Sequence, residues 1–108
     1  MKRGELITVA VQGDYGKPRP ASIIQSDNFN QHPSVTILPV TSKIVDAPLI
    51  RVTVSATEKN SLTKDSQVMI DKATTIHMEK VGDRIGEIEH PLMQEIEKCL
   101  MVFLGIAK

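Results

Sequence analysis

Two short stretches of this chain hold residue types that could do chemistry together. Lys17-Pro18-Arg19-Pro20-Ala21 sets an arginine between two prolines, and Leu38-Pro39-Val40-Thr41-Ser42 places two hydroxyls where a β-like run ends. Each proline fixes its own φ and biases the residue before it towards an extended backbone, so Arg19 is held on a short, stiff tether. A guanidinium presented in this way suits a planar, two-point grip on a phosphate or carboxylate. The Thr41-Ser42 pair has two readings: hydroxyls that complete such an anion site, or side chains that cap a strand-end turn.

Other reactive residue types are read as structural. His32 precedes Pro33 in a polar turn and His90 begins a helix, whereas His77 follows Ile76 and is a candidate for the substrate groove. The three histidines are too scattered to form a local metal motif, so neither metal nor cofactor is expected. Cys99 falls on an apolar helix face and reads as a packing thiol. Lys17, Lys43 and Arg51 form a solvated rim on the simplest reading.

These residues must be positioned by one domain, because 108 residues is close to the modal domain size. A single cysteine excludes an internal disulfide framework and a cysteine zinc cage, and suits a reducing cytoplasm. Glu5 interrupts the first apolar run, so no signal peptide is expected. No apolar stretch approaches the roughly 20 residues that cross a bilayer. A cytoplasmic protein with no membrane partner is the expectation. Net charge is zero, with 13 basic and 13 acidic residues. Residues 1–51 carry +2 (six cations against four anions) and the remainder −2, which is compatible with a local anion site without demanding one.

Turn signals divide the chain into six expected strands: 6–11, 21–25, 35–40, 49–54, 67–70 and 84–88. Gly13 to Gly16 reads as a loop. The β-branched run 35–40 reads as buried on both faces, and 49–54 alternates like a half-exposed strand. The spacing of Leu92, Met93, Ile96, Cys99, Leu100, Phe103 and Leu104 predicts a helix that starts at Pro91 and ends at Gly105. Strands closed by one helix imply a mostly β domain, either α+β or a small bent barrel capped by the helix.

In this order the motifs resemble those of the MazF/PemK toxins, and the resemblance spans nearly the whole chain, 1–108. Arg3-Gly4-Glu5-Leu6 resembles the family's opening. Lys17 to Ala21 with Ile23-Ile24-Gln25 resembles its Arg-Pro…Val-Ile-Gln segment, and Asn28-Phe29-Asn30 its Phe-Asn turn. Val35 to Ser42 resembles its Pro-Val-Thr-Ser strand. Asp65 to Lys72 with Thr74-Thr75-Ile76 resembles its Ser-x-Val-x-x-Asp-Gln-x-Arg-Thr-Ile region. The resemblance implies an SH3-like barrel of the MazF/PemK/CcdB type. It implies a metal-independent, sequence-selective endoribonuclease acting on single-stranded RNA, a homodimer, and a cognate antitoxin through which alone DNA would be met. On the matching positions the catalytic arginine is Arg19, the catalytic threonine Thr41 and the acidic residue of some members Asp71. Lys17, Ser42, Lys43 and His77 would contact RNA.

Such a reaction has the 2′-hydroxyl attack its neighbouring phosphorus, leaving a cyclic phosphate and a 5′-hydroxyl. A fixed guanidinium stabilises the charge that gathers on the non-bridging oxygens. A proton must also be taken and returned. Asp71 is the candidate base, Thr41 either positions the phosphate or relays the proton, and Arg19 as acid stays open. The chain departs from the family pattern at Met69, where an arginine is common, at Lys72 for glutamine and Thr74 for arginine, and in a short Gln12–Lys17 loop. Two other readings compete: a gyrase-poisoning toxin like CcdB, against which the absence of a tryptophan near the C-terminus speaks, and a non-catalytic SH3-like binding module, which would want a more aromatic groove.

Overall fold

The computed structural model describes residues 1–10 and 17–107; the loop expected at Gly13–Gly16, and Val11 at the end of the first expected strand, lie outside them. The described residues form seven strands: β1 (Glu5–Ala10), β2 (Pro18–Ile23), β3 (Ser34–Thr41), β4 (Arg51–Val54), β5 (Ser66–Met69), β6 (Thr74–His77) and β7 (Val81–Glu87). One helix, α1 (His90–Phe103), follows. Every pairing is antiparallel, in the order β4-β5-β3-β2-β1-β7, with β6 also on β3. The sheet is strongly bent in barrel fashion but does not close.

Bending lets one sheet serve two cores. On β3, Leu38 and Val40 pack with Leu6, Val68, Ile70, Ile96 and Leu100, while Val35 and Ile37 join Ile7, Val9, Ala21 and Ile23. The expectation that this run is buried on both faces is met in that sense, each end of the strand facing a different cluster. One edge of β3 pairs with β6 over Ser34–Ile37 and with β5 at Val40–Thr41. Pro39, with no N–H to give, sits at the changeover, where a missing rung costs little. A 3-10 turn over Ile70–Lys72 carries the chain from β5 to β6.

Several element boundaries differ from expectation for physical reasons. The second strand starts at Pro18, so Arg19 lies inside β2, paired with Val9, and not on a tether ahead of it. Over Pro18–Pro20 that strand is paired on one edge only, which is where prolines are tolerated. Residues 47–50 form a turn closed by Ala47 O, which accepts from Ile50 N and Arg51 N, so β4 begins at Arg51. Strand β6 was not expected, since only Ile76 in it is apolar and even that is only half-buried.

The helix begins one residue early, at His90, and buries Met93, Ile96, Cys99 and Leu100. Its end is a Schellman motif: Gly105 (φ +76°) donates to Val102 O at 3.1 Å and Ile106 to Met101 O at 2.8 Å. Phe103 and Leu104, expected on the apolar face, stand 47% and 60% exposed because the sheet ends before the helix does. Arg3 fastens the helix to the start of β1: its Nε donates to Ile24 O and its Nη1 pairs with Glu97. Among the described residues no helix is long and apolar enough to cross a membrane.

Candidate active site

Strands β2, β3 and β5 bring Arg19, Thr41 and Ser42 to one groove of about 780 Å³. Val9, Pro20, Pro39, Val40, Leu62 and Met69 supply its apolar walls, and Lys64 and Lys72 add two cations from the segments flanking β5. The described walls thus hold three cations and neither a carboxylate nor a histidine. In a chain of zero net charge, that concentration of one sign on the described walls suits the groove to an anion, since apolar walls strengthen the field inside a cleft. Among the described residues no cluster of His, Cys, Asp or Glu could hold a metal ion.

The local chain explains the presentation of Thr41. It is the last residue of β3, and its Oγ1 accepts the backbone N–H of Lys43 at 3.1 Å, closing a tight turn. The turn-capping reading of the hydroxyl is thus met, and it leaves the anion-site reading open. An oxygen that accepts from the backbone still has its own hydrogen to donate, and Thr41 is half-buried with its neighbour Ser42 exposed in the groove. The following loop is held by Gln67, which is 4% exposed. Its Oε1 accepts from Val45 N at 3.1 Å, and its Nε2 donates to Val45 O at 3.0 Å and to Thr53 Oγ1 at 3.2 Å.

Asp71 is placed differently from the expectation. It sits in the 3-10 turn after β5, where its carboxylate pairs with Arg51 Nη1, and it does not line the groove. The β4–β5 register, Arg51 opposite Met69, is what aligns that arginine with it. Arg51 is thus an ion-pair partner and not a solvated rim residue. The expected RNA contacts also divide. Ser42 lines the groove, whereas Lys17 and Lys43 are exposed outside its walls. His77 ends β6 and accepts from Glu79 N at 3.3 Å, capping a 3-10 turn away from the groove. His32 accepts from Ser34 N at 3.2 Å. Cys99 is buried, and desolvation, reinforced by Glu95, pushes its thiol pKa up, which suits packing and not nucleophilic work.

Lys64 and Lys72 are the groove residues that the sequence reading did not single out. Lys64 lies in an irregular stretch with no periodicity to flag it, and Lys72 was noticed only as a departure from a family pattern.

Residues 2–104 match the family model described as the PemK-like, MazF-like toxin of type II toxin–antitoxin systems. The chain belongs to that family. It is 43% identical over 108 residues to the probable endoribonuclease MazF of Mycolicibacterium smegmatis, covering 99% of both chains. It is 22% identical over 111 residues to endoribonuclease EndoA of Bacillus subtilis, covering 98% of this chain and 96% of the relative. The fold agrees with a mycobacterial endoribonuclease solved in complex with its cognate antitoxin (TM-score 0.83, 23% identity, 100% and 98% of the two chains). It agrees equally with a MazE–MazF structure from Deinococcus radiodurans (TM-score 0.81, 21% identity, 99% and 97%). Against this PemK/MazF membership, the gyrase-poison and non-catalytic binding readings find no support.

Proposed function

We propose that this chain, a MazF-like endoribonuclease toxin of a toxin–antitoxin system, cuts single-stranded RNA in the β2–β3–β5 groove without a metal ion. The observation that carries this reading is the meeting of three cations, Arg19, Lys64 and Lys72, with the strand-end hydroxyls of Thr41 and Ser42 on the walls of one groove. A phosphodiester is seated there by Lys64 and Lys72. Arg19 faces the phosphorus as negative charge develops on its non-bridging oxygens. Thr41, its oxygen already accepting from Lys43 N, donates its hydrogen to a phosphate oxygen. Of the two roles open to that residue, this favours positioning over proton relay. The 2′-oxygen loses its proton to solvent and forms the new P–O bond, the P–O5′ bond breaks, the 5′-oxygen takes a proton from solvent, and a cyclic phosphate and a 5′-hydroxyl remain.

The same reading extends to partners. The antitoxin complexes solved for relatives of the same fold suggest a cognate antitoxin for this chain. A homodimer is supported by the apolar residues left bare at the helix end, among them Phe103, Leu104 and Ile106. Substrate mRNA and antitoxin together suggest a cytoplasmic setting.

The test uses purified protein and single-stranded RNA of mixed sequence in EDTA. Cleavage is expected, and a 2′-deoxy nucleotide placed 5′ of a mapped cut abolishes that cut. A metal requirement, or a cut that survives the deoxy change, overturns the mechanism.

A further inference from the structure

We propose that Gln67 is the positioning residue of this active site, fixing the segment Thr41–Val45 so that the Thr41-Ser42 hydroxyls face the groove. This rests on placing the reaction in that groove. The reason lies in where the two ends of the segment are tied. Thr41 is the ladder partner of Gln67 across β3 and β5. Four residues on, Val45 donates its backbone N–H to Gln67 Oε1 and its C=O accepts from Gln67 Nε2. One residue therefore holds both ends of the loop, by its backbone at one and its amide at the other.

The chemistry of the side chain fits this use. A primary amide is the neutral group that can accept from an N–H and donate to a C=O of the same peptide-bearing residue, and the second amide hydrogen goes to Thr53 Oγ1. A buried amide is costly unless satisfied, so its interactions hold it and the loop in one geometry. Without the tie, residues 42–46 are all exposed and would keep only the Thr41 Oγ1–Lys43 N bond to order them. Nothing else in the hydrogen-bond pattern of the described residues joins Val45 to the body of the protein.

Because Val45 is itself exposed, its backbone groups can turn to water when the amide is lost. A change at Gln67 is thus expected to loosen the loop far more than the fold. Displacing a reacting group by about 1 Å costs on the order of 100-fold in rate.

The experiment compares wild type with Gln67→Met and Gln67→Glu. Under single-turnover conditions, on an RNA that wild type cuts, Gln67→Met is expected to lose at least about tenfold in rate. Affinity for the same RNA carrying a 2′-deoxy nucleotide at the cut changes less than about threefold, since the cations that grip phosphate are untouched. Hydrogen exchange at Val45 N–H speeds up while the Leu6 and Val68 amides stay protected. In Gln67→Glu, a protonated carboxyl offers one donor and one acceptor, enough for both Val45 bonds though not for the third, to Thr53 Oγ1. Its rate relative to wild type is therefore expected to climb as pH falls from 8 to 5.

A wild-type rate in Gln67→Met, or unchanged exchange at Val45, overturns the inference. If Gln67→Met does not fold, the pH profile of Gln67→Glu decides: a flat ratio overturns it. If wild type itself cuts no RNA, the functional reading fails, and Val45 exchange still reports whether Gln67 holds the loop.

Discussion

Arginines tie the scaffold of this protein through carboxylates: among the described residues Arg3 pairs with Glu97, Arg51 with Asp71 and Arg84 with Glu5. The fourth, Arg19, stands exposed in the wall of a groove whose other described charges are Lys64 and Lys72. The same side chain is used in two ways. In the first three places it joins elements far apart in sequence, up to 94 residues for Arg3 and Glu97. In the fourth it adds its charge to a groove wall that also carries Lys64 and Lys72. A guanidinium in such a wall can present its planar, two-point donor fork to a phosphate. On the proposed function, the different positions of Arg19, in the groove wall, and Arg51, in the β4–β5 ion pair, separate the active face of the protein from its scaffold.

The strongest way to break that contrast is Arg19→Ala. Removing a group that stabilises transition-state charge is expected to slow cleavage about 100-fold. The circular dichroism spectrum and melting temperature should stay near wild type, because β2 keeps its pairing with β1. Cleavage within threefold of wild type would remove Arg19 from the site.

Next in size is the pair Thr41→Val and Asp71→Asn, which asks whether the scaffold arginine's partner also serves the chemistry. A lost hydrogen bond to a charged phosphate is worth about 1.5–3 kcal/mol, so Thr41→Val should slow cleavage about tenfold or more. Asp71→Asn should affect cleavage less than that and stability more. Arg51 is mostly buried, and losing its counter-charge there costs about 1–2 kcal/mol, readable as a lower urea midpoint. A rate loss in Asp71→Asn exceeding that of Thr41→Val would return the acidic residue to the reaction and refute the division drawn here.

How much of this was legible in the sequence follows from which signals are local. Strand β3 announces itself by its β-branched apolar run and helix α1 by apolar residues that recur at the helical period, and the prolines around Arg19 with the Thr41-Ser42 pair mark two walls of the groove. The Arg51–Asp71 pair is not local: it depends on Arg51 lying opposite Met69, a register that no pattern in either strand states. Strand β6 escaped because Thr74, Thr75 and His77 are exposed and carry no alternation. Gln67 escaped for the opposite reason, since a buried polar residue inside a strand is read from sequence as an outward-facing one. Phe103 and Leu104 kept the helix period beyond the point where the sheet gives them anything to pack on.

The smallest expected effect concerns the Arg84–Glu5 pair, where the scaffold use of arginine becomes a dependence on pH. Burial acts to raise the Glu5 carboxyl, but the Lys2 backbone N–H and the Arg84 guanidinium outweigh it and hold the pKa below the ordinary glutamate value. A carboxylate with a depressed folded-state pKa binds fewer protons folded than unfolded. Its contribution is therefore complete above the unfolded value, about 4.3, and is lost as pH falls through the lower folded value. Arg84 is half exposed, so solvent screening keeps the contribution small. Glu5→Gln is expected to flatten the acid limb of melting temperature against pH below about 4.3 and to leave the limb above pH 6 parallel to wild type. RNA cleavage near neutral pH should not follow the change, because Glu5 and Arg84 lie on β1 and β7, outside the groove walls. An unaltered acid limb would mean that the Arg84 tie contributes nothing measurable. A neutral-pH cleavage defect would mean that the β1–β7 edge and the groove are coupled, and the separation between scaffold and active arginines would not hold.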